Sequence, residues 1–122
     1  MTLLFIIPIL AIPAIYILST IISRSMSYER GYWFFEALHL LAGFFVAMFW
    51  SNFFDTSALV IMATLAVGIL WEIWEVIVDR QPKLKNILRK FHITQGKITL
   101  QDTTLDLFLD FAGALIFVLL FQ

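Results

Sequence analysis

Four long apolar runs constrain this chain more than any other feature. Leu3 to Ile22 is uncharged. Trp33 to Phe54 carries only Glu36 and His39, Ala58 to Val78 only Glu72 and Glu75, and Thr103 to Phe121 only Asp106 and Asp110. About 20 mostly apolar residues suffice for a helix to cross the hydrocarbon core of a bilayer. Lipid offers the backbone no hydrogen-bond partners, so a spanning segment of this kind must be helical. The reading is an all-α polytopic membrane protein forming a single domain over 1–122. It is a bundle of four transmembrane helices at about 3–22, 33–54, 58–78 and 103–121, with a loop at 79–102. Composition closes the alternatives. At 61% apolar and 14% charged residues the chain is neither disordered nor an ordinary soluble domain. A net charge of −1 argues against a nucleic-acid partner. Without cysteine there is no disulfide frame or thiolate metal site. The first run lacks the basic start and the A-x-A pattern of a cleaved signal. It is expected to remain as a helix, kinked by Pro8 and Pro13.

The basic residues give a topology. The chain has eight Lys and Arg. Arg24 and Arg30 fall between the first two runs, and Arg80, Lys83, Lys85, Arg89, Lys90 and Lys97 between the last two. With four spans these loops lie on one side. The positive-inside rule makes that side cytoplasmic, with both termini outside. Within the long loop, Leu84, Ile87, Leu88 and Phe91 repeat at helical spacing. Lys83, Lys85, Arg89 and Lys90 occupy the other face. This predicts a short amphipathic interfacial helix whose charges favour anionic lipid headgroups. Gly96 marks a tight turn between short extended arms over 93–100, and His92 reads as a surface residue.

Acid inside the membrane is the functional signal. An ionisable side chain near the bilayer centre costs roughly 2.5–3.5 kcal/mol or more, so such groups face the bundle interior and mark function. Glu36, His39 and Gly43 form one stripe of a helix. Glu72, Glu75 and Asp79 form a second, and Asp102, Asp106, Asp110 and Gly113 a third. Counted from the cytoplasmic ends at 1.5 Å per residue, Glu36, Glu75 and Asp106 form a layer about 5 Å deep. His39, Glu72 and Asp110 form another about 9–10 Å deep. Asp79 and Asp102 sit at the rim.

No lysine or arginine lies in any run, so something else must compensate these charges. Carboxylate oxygens with one imidazole suit a divalent ion such as Mg²⁺, Mn²⁺, Fe²⁺ or Zn²⁺. Glu36-x-x-His39 has the ligand spacing of dimetal helix bundles. The expected metal ligands are Glu36, His39, Glu72, Glu75, Asp106 and Asp110. Such an ion at the cytoplasmic interface could act on a lipid-linked phosphate, with Lys83, Lys85, Arg89 and Lys90 attracting the head. Plainer readings stand beside this one. The acids can be protonated packing groups, or handle cations or protons without turnover. Thr103-x-x-Asp106 can be a capping box. Gly43 with Ala47, and Gly113, read as close helix contacts. Trp33, Trp50, Trp71 and Trp74 read as interface or packing residues. A homo-oligomer is compatible with all of these.

His39-Leu-Leu-Ala-Gly43, Trp71-Glu-Ile-Trp-Glu75 and the segment Asp102-Thr-Thr-Leu-Asp-Leu-Phe-Leu-Asp110-Phe-Ala-Gly-Ala114 resemble VanZ-like and YjdF-type small multi-pass inner-membrane proteins. The resemblance covers roughly Glu36 to Ala114. It implies a prokaryotic cytoplasmic-membrane protein with an intramembrane acidic site, and it names no reaction. Glu72 to Arg80 is also similar to the small bacterial diacylglycerol kinase. However, Glu75 stands where that family's E-x-x-N-x-x-x-E motif has Asn, and no matching second Glu follows.

Overall fold

The computed structural model describes residues 2–26, 28–90 and 100–122. The segment 91–99, with the expected turn at Gly96 and with His92 and Lys97, lies outside the described residues, as do the side chains of Tyr28 and Arg89. The described chain is helical throughout: α1 Leu3–Ser25, α2 Tyr28–Trp50, α3 Ser57–Arg80, α4 Pro82–Lys90 and α5 Leu100–Phe121. The four longer helices are each long and apolar enough to cross a membrane. Many of their large apolar side chains are exposed, as lipid-facing residues would be, among them Leu10, Met62, Leu70, Phe108 and Leu119.

The helix ends differ from those expected. α1 continues to Ser25 without a break at Pro8 or Pro13, α2 starts at Tyr28, and α5 starts at Leu100. These added turns contain Arg24, Glu29, Arg30 and Asp102, polar residues that an apolar window cuts off but that extend a helix readily. At its other end α2 stops earlier, at Trp50. The backbone there turns through Ser51 to Phe53, whose N–H groups donate to carbonyls of Ala47, Phe49 and Trp50. Asn52 secures this corner. Its amide donates to the Leu4 and Met48 carbonyls at 3.0 Å and accepts from the Thr2 hydroxyl at 3.2 Å, tying the start of α1 to the end of α2.

Between helices in lipid there is no hydrophobic driving force, so small residues that admit close packing set the contacts. α2 and α5 form the main contact. A Cβ on Gly43 would lie 2.5 Å from the Asp110 carbonyl oxygen, and one on Gly113 would strike the Leu40 carbonyl oxygen. The two backbones therefore touch at this crossing. Beyond it Ala47, Met48, Val60, Ala114 and Phe117 form the buried core of α2, α3 and α5. Phe44 meets Phe117 edge-on at 5.5 Å. α3 packs on α5 and α2, and α4 packs on α3. Among the described residues the α1 backbone packs closely on α2, and α1 touches α3 through a side-chain ring contact.

α4 has the expected amphipathic character. Leu84 and Leu88 are half-buried, while Lys83 and Lys90 are exposed. Lys85 folds back, its Nζ donating to Asp79 Oδ1 at 2.9 Å.

A candidate acidic cleft open between α1 and α3

The polar stripes of α2, α3 and α5 meet in one place. Each helix repeats its acids every three or four residues, which keeps them on one face, and burial of the glycine faces turns those stripes toward a common cleft. The cleft has a volume of about 460 Å³. Glu36, His39, Glu72, Glu75, Asp106 and Asp110 all line it, with Asp102 at its edge. Among the described residues no Lys or Arg lines it.

Asp106 is central. Its Oδ2 stands 3.6 Å from His39 Nε2, an ion-pair distance when the imidazole is protonated. Glu72 of α3 lines the same cleft. Bare carboxylates gathered in one cleft repel, so a shared proton or a cation favours the arrangement. Glu72 is 7% exposed, and its Oε2 accepts from the Thr103 hydroxyl at 2.9 Å. Asp110 lies against α3 at Gly68, where a Cβ would come 2.5 Å from its Oδ2. Glu75 instead accepts from Trp71 Nε1 of its own helix at 3.1 Å. Glu36 is 7% exposed, and its Oε2 has no hydrogen-bond partner among the described residues.

Three expectations need correction. Thr103 does not cap α5, because the helix begins three residues earlier; its hydroxyl serves Glu72 instead. The two layers are not separate, because side chains reach from one to the other. Asp106, expected level with Glu36 and Glu75, stands 3.6 Å from His39 of the other layer. At the rim, Asp79 pairs with Lys85 and does not line the cleft. Further, among the described residues no three acidic or imidazole side chains stand close enough to hold a metal ion as they are placed.

The sequence reading missed the fourth wall. Tyr16, Ser19, Thr20 and Ser23 of α1 line the cleft opposite α3. Their spacing is helical, but hydroxyl groups in a long apolar run give a weak signal. Trp71 and Trp74, read as packing residues, line it too. Tyr16 and Trp71 meet edge-to-face across the opening, with ring centroids 6.2 Å apart. Leu88 of α4 also lines the cleft.

No curated protein and no solved structure matches the chain. A family model does match, and it supports a small membrane-protein family without extending to VanZ-like or YjdF-type kinship. The long apolar helices and that match over residues 6–122 agree: the chain belongs to the family described as Predicted membrane protein (DUF2238).

Proposed function

We propose that this chain is a cation-binding integral membrane protein, its acidic cleft taking up positive charge within the bilayer. The observation that carries this reading is Glu36, almost fully buried with one carboxyl oxygen unpartnered among the described residues, facing a cleft with further acids, one imidazole and no described Lys or Arg. A buried polar group without a partner costs about 1–3 kcal/mol, and more when charged. An occupant that supplies positive charge removes that cost. The donor set suits a divalent ion, with Glu36, Glu72, Asp106 and Asp110 offering oxygens and His39 one nitrogen. Glu75 would join by releasing Trp71. Binding such an ion requires the carboxylates to rotate inward.

A second reading adds chemistry to the same ion: a lipid-linked phosphate polarised by it, as expected from the basic loop. Leu88 favours it, because its place at the cleft brings the basic helix α4 up to the acids.

The test is thermal unfolding in a neutral detergent with Mn²⁺ or Mg²⁺, and with chelator. Ligand at a hundredfold excess over its dissociation constant should stabilise the fold by about 2.7 kcal/mol. Glu72→Gln and Asp110→Asn should abolish that gain, because amides are poor ligands of similar shape. A wild type indifferent to both metal and chelator would remove the inorganic ion. If the two variants were then also neutral, shared protons would hold the cluster together, since an amide can replace a protonated acid as donor and acceptor.

A further inference from the structure

The cleft is much larger than its acids require. A volume of about 460 Å³ is that of a small-molecule site, whereas one ion fills only a small part of it. Its lining changes character along its length. Glu36, Glu72 and Asp106 mark one end, while Ile12 and Ile15 of α1, Val46 of α2 and Val67 of α3 line the other. A cleft acidic at one end and aliphatic at the other is matched to an amphiphile.

The entrance points the same way. α1 packs on α2 and meets α3 through the Tyr16–Trp71 ring pair without close backbone packing, which leaves a sideways gap between α1 and α3 beside that pair. Both helices belong to the set long and apolar enough to span a membrane. A sideways opening between two such helices faces acyl chains, not water. A ligand already in the bilayer therefore reaches it by lateral diffusion.

Charge and aromatic content select the head. The acids demand a cation, and Tyr16, Trp71 and Trp74 line the same cleft. Ammonium groups bind over such rings by cation–π attraction while carboxylates neutralise their charge. A phosphate head placed there would meet several carboxyl groups and, among the described residues, no Lys or Arg of the lining.

We propose that the cleft between α1 and α3 binds an alkylammonium amphiphile, its ammonium head among Glu36, Glu72 and Asp106 and its chain between α1 and α3. This rests on the reading of the acids as a cation site.

The experiment uses the full chain in phosphatidylcholine nanodiscs, with chelator present so that no divalent ion bridges an anionic head. Three photoreactive probes share one alkyl chain with a diazirine at mid-chain and carry a primary amine, a hydroxyl or a phosphate head. The amine probe should label Ile12, Ile15, Val46 or Val67 about tenfold more than the hydroxyl probe, because the head interaction adds to an equal chain contribution. Excess unlabelled alkylamine should suppress that labelling. Glu36→Gln and Asp106→Asn should each weaken it. The wild-type comparison of heads decides the matter even if a variant does not fold. Equal labelling by amine and hydroxyl probes overturns the proposal, and stronger labelling by the phosphate probe overturns it in favour of an anionic lipid. Unfolding curves with water-soluble methylammonium and with Mn²⁺ separate the two levels. Stabilisation by either small cation without amine-selective labelling leaves the cation site standing and removes the amphiphile. No effect of any cation removes both.

Discussion

Replacing Gly113 by alanine tests the helix crossing on which the cleft depends. The new Cβ would lie 2.7 Å from the Phe44 amide nitrogen and 3.1 Å from the Gly43 carbonyl carbon, and nearer still to the Leu40 carbonyl oxygen. All three are backbone atoms of α2, which cannot rotate away. Reaching ordinary contact of 3.4–4 Å means parting α2 and α5 by about 1 Å along much of their shared face. Overpacking of this kind costs about 1–3 kcal/mol, and here the upper half of that range applies. Alanine recovers up to about 1 kcal/mol of helix propensity over glycine. The net is a loss of about 1–2 kcal/mol, a fall in Tm of roughly 3–8 °C for a chain of this size. Gly68→Ala is the matched control. Its Cβ meets Asp110 Oδ2 at 2.5 Å and Leu107 Cδ2 at 3.1 Å, both side-chain ends that can swing aside. Its stability should stay within about 0.5 kcal/mol of wild type, while the Asp110 carboxyl moves. Unfolding curves in one detergent compare the two. A Gly113→Ala protein as stable as wild type would show that propensity outweighs contact, and the backbone-to-backbone crossing would be refuted.

Other expected outcomes concern the cleft and the topology. Thr103→Val removes the donor to a buried Glu72 oxygen and should cost about 1–3 kcal/mol, with Thr103→Ser close to wild type in the same unfolding assay. Added Mn²⁺ or Mg²⁺ should stabilise wild type, chelator should reverse that gain, and Glu72→Gln and Asp110→Asn should respond to neither. Cysteines placed by Ser57→Cys and Gln101→Cys should label from opposite sides. Ser57→Cys should react in intact cells and Gln101→Cys only after permeabilisation, as the positive-inside rule requires. Labelling of Gln101→Cys from outside would reverse that assignment.

Much of the site was legible because intramembrane acids are expensive, so their spacing records which face turns inward. Glu36 with His39, Glu72 with Glu75, and Asp106 with Asp110 needed only helical geometry to be grouped. Their partners were not legible. The pairing of Asp106 with His39 depends on how α2 and α5 are placed against each other, and apolar windows misjudge helix ends wherever a polar turn such as Tyr28–Gly31 continues the helix. The wall made by Tyr16, Ser19, Thr20 and Ser23 was hidden for another reason. Hydroxyls bond back to their own helix, as the Ser19 and Thr20 hydroxyls do to the Tyr16 carbonyl, so they sit in an apolar run without a marked hydropathy penalty.

The dominant α2–α5 contact has a consequence for biosynthesis. The two halves of that contact are separated in the chain by all of α3 and α4, so α2 is made well before the surface it packs on. Until α5 arrives, the Gly43 face is bare, and Glu36 and His39 have only α1 and α3 to shelter them from lipid. The last long helix is thus the one that encloses the acids and sets Asp106 beside His39. A ribosome pausing before residue 100 would hold a membrane intermediate with its most costly groups still uncovered. Early association of that intermediate with a lipid, an ion or an insertion factor would bear directly on yield.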